Sequence, residues 1–167
     1  GDSKQAIEHY QKSIFLQAHY AVPHYNLGTV YLTRNDFDHA VGEFSAAVEL
    51  DASNADAFNN LGVAQERKGD GGVAITAYAK AVALKPDYVE ALNNLGIALS
   101  FLGQTDEALR CFTTSLQIQP QSAMTYNNLG HALVRVGRPQ EAVKHFEQAL
   151  QLEPAFPEAQ NNWGEAL

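Results

Sequence analysis

Phe58–Ala64 reads FNNLGVA, and the phrase returns as LNNLGIA at Leu92–Ala98, YNNLGHA at Tyr126–Ala132 and QNNWGEA at Gln160–Ala166. Gly28, Gly62, Gly96, Gly130 and Gly164 stand 34 residues apart at every step, preceded by Leu27, Leu61, Leu95, Leu129 and Trp163. A second register holds Ala40, Ala74, Ala108 and Ala142, each followed four residues later by Phe44, Tyr78, Phe112 or Phe146. Pro86, Pro120 and Pro154 close three of the units. Matching chemistry at a fixed period of this length marks an array of repeated supersecondary units.

Within one period the apolar spacing is helical. Leu92, Leu95, Gly96 and Leu99 fall at i, i+3, i+4 and i+7 on one face. After a break at LGQTD, Ala108, Leu109, Phe112, Leu116 and Ile118 draw a second stripe. Gly103 sits in that break, and Asn35, Gly69 and Gly137 hold the same slot; these residues tolerate the left-handed backbone of a tight turn. Pro139 suits the first turn of the helix that follows, and Glu107 and Glu141 favour its positive end. Glycine inside a helix costs about 0.5–1 kcal/mol relative to alanine. Its return at every Gly28-type position predicts close helix approach, with glycine against the alanine of the partner. Each unit reads as an antiparallel helix pair. KGDGGVA at Lys68–Ala74 crowds three glycines around one turn, which predicts a frayed helix start or a hinge.

This pattern of W-x2-L-G-x2-Y, A-x3-F and a closing proline over 34 residues resembles the tetratricopeptide repeats. The resemblance spans nearly the whole chain, as a single array: a half repeat at 1–20, whole repeats at 21–54, 55–88, 89–122 and 123–156, and a partial repeat at 157–167. It implies an all-α fold of tandem antiparallel helix pairs forming a right-handed superhelix with a concave groove. Departures are local: Ala52 replaces a closing proline, Gln65 an aromatic or leucine, and Ser115 an alanine.

If Leu92, Leu95 and Leu99 point inward, then Glu90, Ile97 and Phe101 point nearly opposite, with Asn93 and Asn94 flanking that line. Packing explains Leu-Gly but does not require the amides. Asn59, Asn93, Asn127 and Asn161 form one column, interrupted by Tyr25; Asn26, Asn60, Asn94, Asn128 and Asn162 form another. A primary amide both donates and accepts, so it can pair with any peptide bond. The columns resemble the asparagine ladder lining the repeats of the O-linked N-acetylglucosamine transferases, which implies a grip on peptide backbone. The second column also suits bonds between neighbouring helices. Beside the amides, the expected groove includes Val63, Ile97 and His131 in one row with Thr29, and Arg67, Phe101 and Arg135 in another with Thr33. Family members that clamp acidic chaperone tails carry lysines where Tyr25, Asn59 and Asn93 stand here, which disfavours that ligand.

Other function classes find little support. The net charge is −8, with a pI of about 5.1, and no Lys/Arg cluster offsets it, so nucleic acid is not expected as a partner. No apolar run approaches membrane-spanning length, so no membrane role is expected and a cytoplasmic location is the default. Six histidines lack ligand spacing and Cys111 stands alone, so no metal, cofactor or catalytic residue is predicted. His131 reads as polar lining and Cys111 as a small hydrophobe. The expected function is a non-enzymatic scaffold binding an extended peptide or protein partner. Two alternatives stand beside it: the substrate-recruiting segment of a larger enzyme such as a glycosyltransferase, and a self-assembling array. Trp163 and Leu167 suggest a fragment of a longer array or end-to-end association.

Overall fold

The computed structural model describes residues 2–17 and 19–167, which fold into α-helices joined by tight turns. Two compact units divide the chain at Pro86 and Asp87. The first holds α1 (Asp2–Leu16), α2 (Ala21–Thr33), α3 (Phe37–Leu50), α4 (Ala55–Lys68) and α5 (Gly71–Leu84). The second holds α6 (Val89–Phe101), α7 (Thr105–Ile118), α8 (Ala123–Arg135), α9 (Pro139–Leu152) and α10 (Pro157–Ala166). Among the described residues no strand occurs. Within each unit every helix packs on its chain neighbours. The even-numbered helices are the leading members of the repeats, and the odd-numbered ones the trailing members.

Local chemistry sets the boundaries. Asn35, Gly69, Gly103 and Gly137 turn the chain from leading to trailing helix with φ of 58°, 104°, 78° and 74°, the left-handed backbone that their shared slot predicts. Side-chain oxygens of Asn54 and Ser122 cap α4 and α8 by accepting from Ala57 N at 2.9 Å and Thr125 N at 3.2 Å. Pro139 and Pro157 open α9 and α10, where a missing N–H costs nothing. At KGDGGVA the helix is already formed from Gly71, although Asp70 makes no side-chain cap.

The recurring glycine has a different partner from the one expected. A Cβ on Gly96 would lie 2.6 Å from the Phe112 ring, and Gly62 and Gly130 meet Tyr78 and Phe146 at the same distance. Gly28 meets Phe44 at 2.9 Å. The trailing-helix aromatic, not its alanine, lies over the glycine, because only a backbone without Cβ leaves room for a ring. Those rings are fully buried, and each contributes roughly 1.5–3 kcal/mol of burial energy. Ala40, Ala74, Ala108 and Ala142 are buried one turn earlier on the same helices. In the first unit α1 is held by Ile7, Tyr10 and Ile14 against a core of Leu27, Tyr31, Phe44 and Leu61.

Candidate ligand-binding face

The leading helices carry the paired amides, and their hydrogen bonds run between repeats. Asn162 Nδ2 donates to Asn127 Oδ1 at 3.0 Å, and Asn127 Nδ2 donates to Glu158 Oε1 at 3.2 Å. In the first unit Asn60 Nδ2 donates to the Tyr25 hydroxyl at 3.2 Å. The Asn162 and Asn60 bonds each join the second amide of one repeat to the residue one position earlier in the preceding repeat's motif. Tyr25, which interrupts the first column, takes the same structural place as Asn127.

One junction departs from this scheme. Met124 stands where Glu158 stands one repeat later, so Asn93 has no carboxylate above it. Its Nδ2 turns instead to Val89 O and Ser115 Oγ, each at 3.0 Å. Ser115, the odd residue in an alanine slot, is fully buried as that acceptor. The switch leaves Asn93 Oδ1 and Asn128 Nδ2 buried without a hydrogen-bond partner.

Between α6 and α8 a cleft of about 170 Å³ opens. Ile97, Ser100 and Phe101 form one wall, and Asn128, His131 and Arg135 the other; Phe112 closes the base and Glu158 stands at the α10 side. The Arg135 guanidinium lies 5.3 Å from the centre of the exposed Phe101 ring, a cation–π contact. Ser100 is only 5% exposed, and its hydroxyl has no hydrogen-bond partner.

More open depressions lie between leading and trailing helices. In the second unit Leu109, Leu116, Tyr126, Leu133 and His145 line one. His145 stacks on Tyr126 with ring centres 6.1 Å apart, and burial lowers its pKa. In the first unit Phe58, Leu61, Gln65, Val73 and Ala77 line the other. Among the described residues no three His, Cys, Asp or Glu side chains group as they would to hold a metal ion. No helix among them is long and apolar enough to cross a membrane.

Two tetratricopeptide-repeat family models match the sequence, over residues 25–89 and 87–154. The chain belongs to the tetratricopeptide-repeat family. No curated protein sequence matches it. Among solved structures it resembles YrrB, a tetratricopeptide-repeat protein with an unusual peptide-binding site. That match has a TM-score of 0.90 at 24% identity, over 99% of this chain and 84% of YrrB. It resembles MamA with a TM-score of 0.87 at 29% identity, over 92% of this chain and 90% of MamA. The match to pilF of Pseudomonas aeruginosa has a TM-score of 0.77 at 25% identity, over all of this chain and 70% of pilF. Tetratricopeptide-repeat proteins are generally non-enzymatic scaffolds, and the likenesses indicate a protein–protein interaction scaffold here.

Within this tetratricopeptide-repeat chain the predicted site residues separate into two groups. Ile97, Phe101, Asn128, His131 and Arg135 come together around the cleft in the second unit. In the first unit Asn26, Asn60 and Val63 are half-buried and Arg67 is exposed; Asn94 of α6 is half-buried. Asn59, Asn93 and Asn127 are instead buried, at 0%, 8% and 1% exposure, and do not line a groove. The helical-wheel reading counted packing only against the trailing helix. Successive leading helices also pack on one another, and in the second unit α6 on α8 and α8 on α10 cover that flank at Asn93 and Asn127. Ser100 and Phe112 lie outside the predicted lining, although Ser100 is one helical step beyond Ile97 on the same face, and Glu158 joins them as the acid expected near the rim.

Proposed function

We propose that the chain binds an extended segment of a protein partner along the exposed side of the second unit's leading helices. The cleft between α6 and α8 carries this reading, because it gathers apolar walls, a cation and a partnerless buried amide within one concavity. The buried Asn59, Asn93 and Asn127 make no contact with the segment. Asn94 and Asn128 remain as edge positions of that face, whereas Asn26, Asn60, Val63 and Arg67 lie on the first unit and are no part of the cleft. Protein or peptide ligands fit the mixed lining, whereas a net charge of −8 works against a phosphate backbone.

Selection from a random linear-peptide library tests the reading, with the wild-type chain and Phe101→Ala/Arg135→Ala panned in parallel. Both side chains are exposed, so the variant is expected to melt like the wild type. Enriched peptides should bind the wild type at least about tenfold more tightly, as loss of an aromatic and an arginine anchor implies. Equal binding to both proteins would move the site to the depression around Tyr126 and His145.

A further inference from the structure

The cleft between α6 and α8 has a polarity that selects among ligand side chains. Its buried polar atoms are an Asn128 amide donor and the Ser100 hydroxyl, neither of which has a partner in the fold. A buried donor without an acceptor is destabilising, so a ligand that supplies an oxygen there recovers free energy that an apolar group cannot. Glu158 stands across the same cleft as an acceptor, already oriented by Asn127 Nδ2 at 3.2 Å. A ligand carboxylate would set a second negative charge against Glu158. Hydrocarbon would suit Ile97 and Phe112 but leave Ser100 and Asn128 unsatisfied. A group with a carbonyl oxygen on one side and an N–H on the other answers both polar walls.

We propose that this cleft is a specificity subsite for a primary-amide side chain, glutamine or asparagine, of the bound segment. Its carbonyl oxygen accepts from Asn128 Nδ2 and Ser100 Oγ, its NH2 donates to the Glu158 carboxylate, and its methylenes pack on Ile97 and Phe112. This subsite rests on the reading of the leading-helix face given above. It takes its specificity from one substitution in the array: Met124 in place of an acid leaves Asn128 without its inter-repeat bond.

The test is NMR titration of the ¹⁵N- and methyl-labelled chain with N-acetyl-glutamine N-methylamide, and with the matching glutamate and leucine compounds. The glutamine compound is expected to shift the Asn128 side-chain NH2 and Ile97 methyl signals saturably. It should bind about fivefold more tightly than the other two, the worth of roughly one hydrogen bond. Ser100→Ala and Glu158→Gln should each weaken it by a similar factor. Ser100→Ala removes an unsatisfied hydroxyl in favour of a better helix former, so its fold is retained and is checked by the dispersion of its spectrum. Preference for the leucine compound would make the cleft an apolar pocket, and preference for glutamate would make it a carboxylate site at Arg135. Either result overturns the proposal, as does absence of saturation or an unchanged affinity in Ser100→Ala. If the library yields peptides that need Phe101 and Arg135 but show no amide preference, the subsite fails while the wider reading stands.

Discussion

Gly96 and Phe112 set the limit on how close a leading and a trailing helix can come. With 2.6 Å between a notional Cβ and the ring, Gly96→Ala forces the ring or the helix aside. Overpacking of this kind costs about 1–3 kcal/mol, more than the helix propensity that alanine contributes. The melting temperature should fall by roughly 2–4 °C per kcal/mol in thermal unfolding followed by circular dichroism. Gly164→Ala is the internal control, since nothing lies within 4 Å of its added methyl, and it should not lower the melting temperature. An unchanged midpoint for Gly96→Ala would mean that the contact relaxes freely. The glycine was legible from the residues because a helix interior tolerates it only for a steric reason. Its ring partner was not, because the wheel orders residues around one axis and says nothing of which side chain crosses from the neighbour. The asparagines show the same limit. Asn59 and Asn60 look equivalent in a string, yet one is buried and the other half-buried.

At the scale of the element, α5 is the helix whose start is least supported. Gly71 and Gly72 lie in its first turn, neither has a positive φ, and no atom lies within 4 Å of an added Cβ at either. Gly71→Ala/Gly72→Ala should therefore raise stability by up to about 0.5–1 kcal/mol per site in urea unfolding. Slower amide exchange at Val73–Ala77 should accompany it. A destabilised variant would show that the glycines serve a conformation other than the helix. The turns before each trailing helix were legible from Asn35, Gly69, Gly103 and Gly137 alone, because a positive φ is a local demand that few residues meet. The start of α5 was less legible: glycine lowers helix propensity in the string, while packing of Ala74, Ala77 and Tyr78 holds the helix in the fold.

The whole molecule carries a net charge of −8. Selected peptides that bear Lys or Arg outside the amide position should associate by electrostatic steering. Raising NaCl from about 0.05 to about 0.5 M should slow their association by on the order of tenfold in stopped-flow fluorescence, with a smaller change in dissociation. A salt-independent association rate would show that the long-range field plays no part in ligand capture. Period, helix pairs, turn positions and family are legible in the residues, because each is written in local propensity or in exact spacing repeated along the chain. Which amides are structural and where the cleft lies emerge only in the fold. Burial of Asn93 and Asn127 depends on leading helices packing a full repeat apart in sequence. The free donor of Asn128 depends on what residue 124 fails to offer its neighbour in the preceding repeat. Such three-body contacts are set by how helices meet, which no single stretch of the chain specifies.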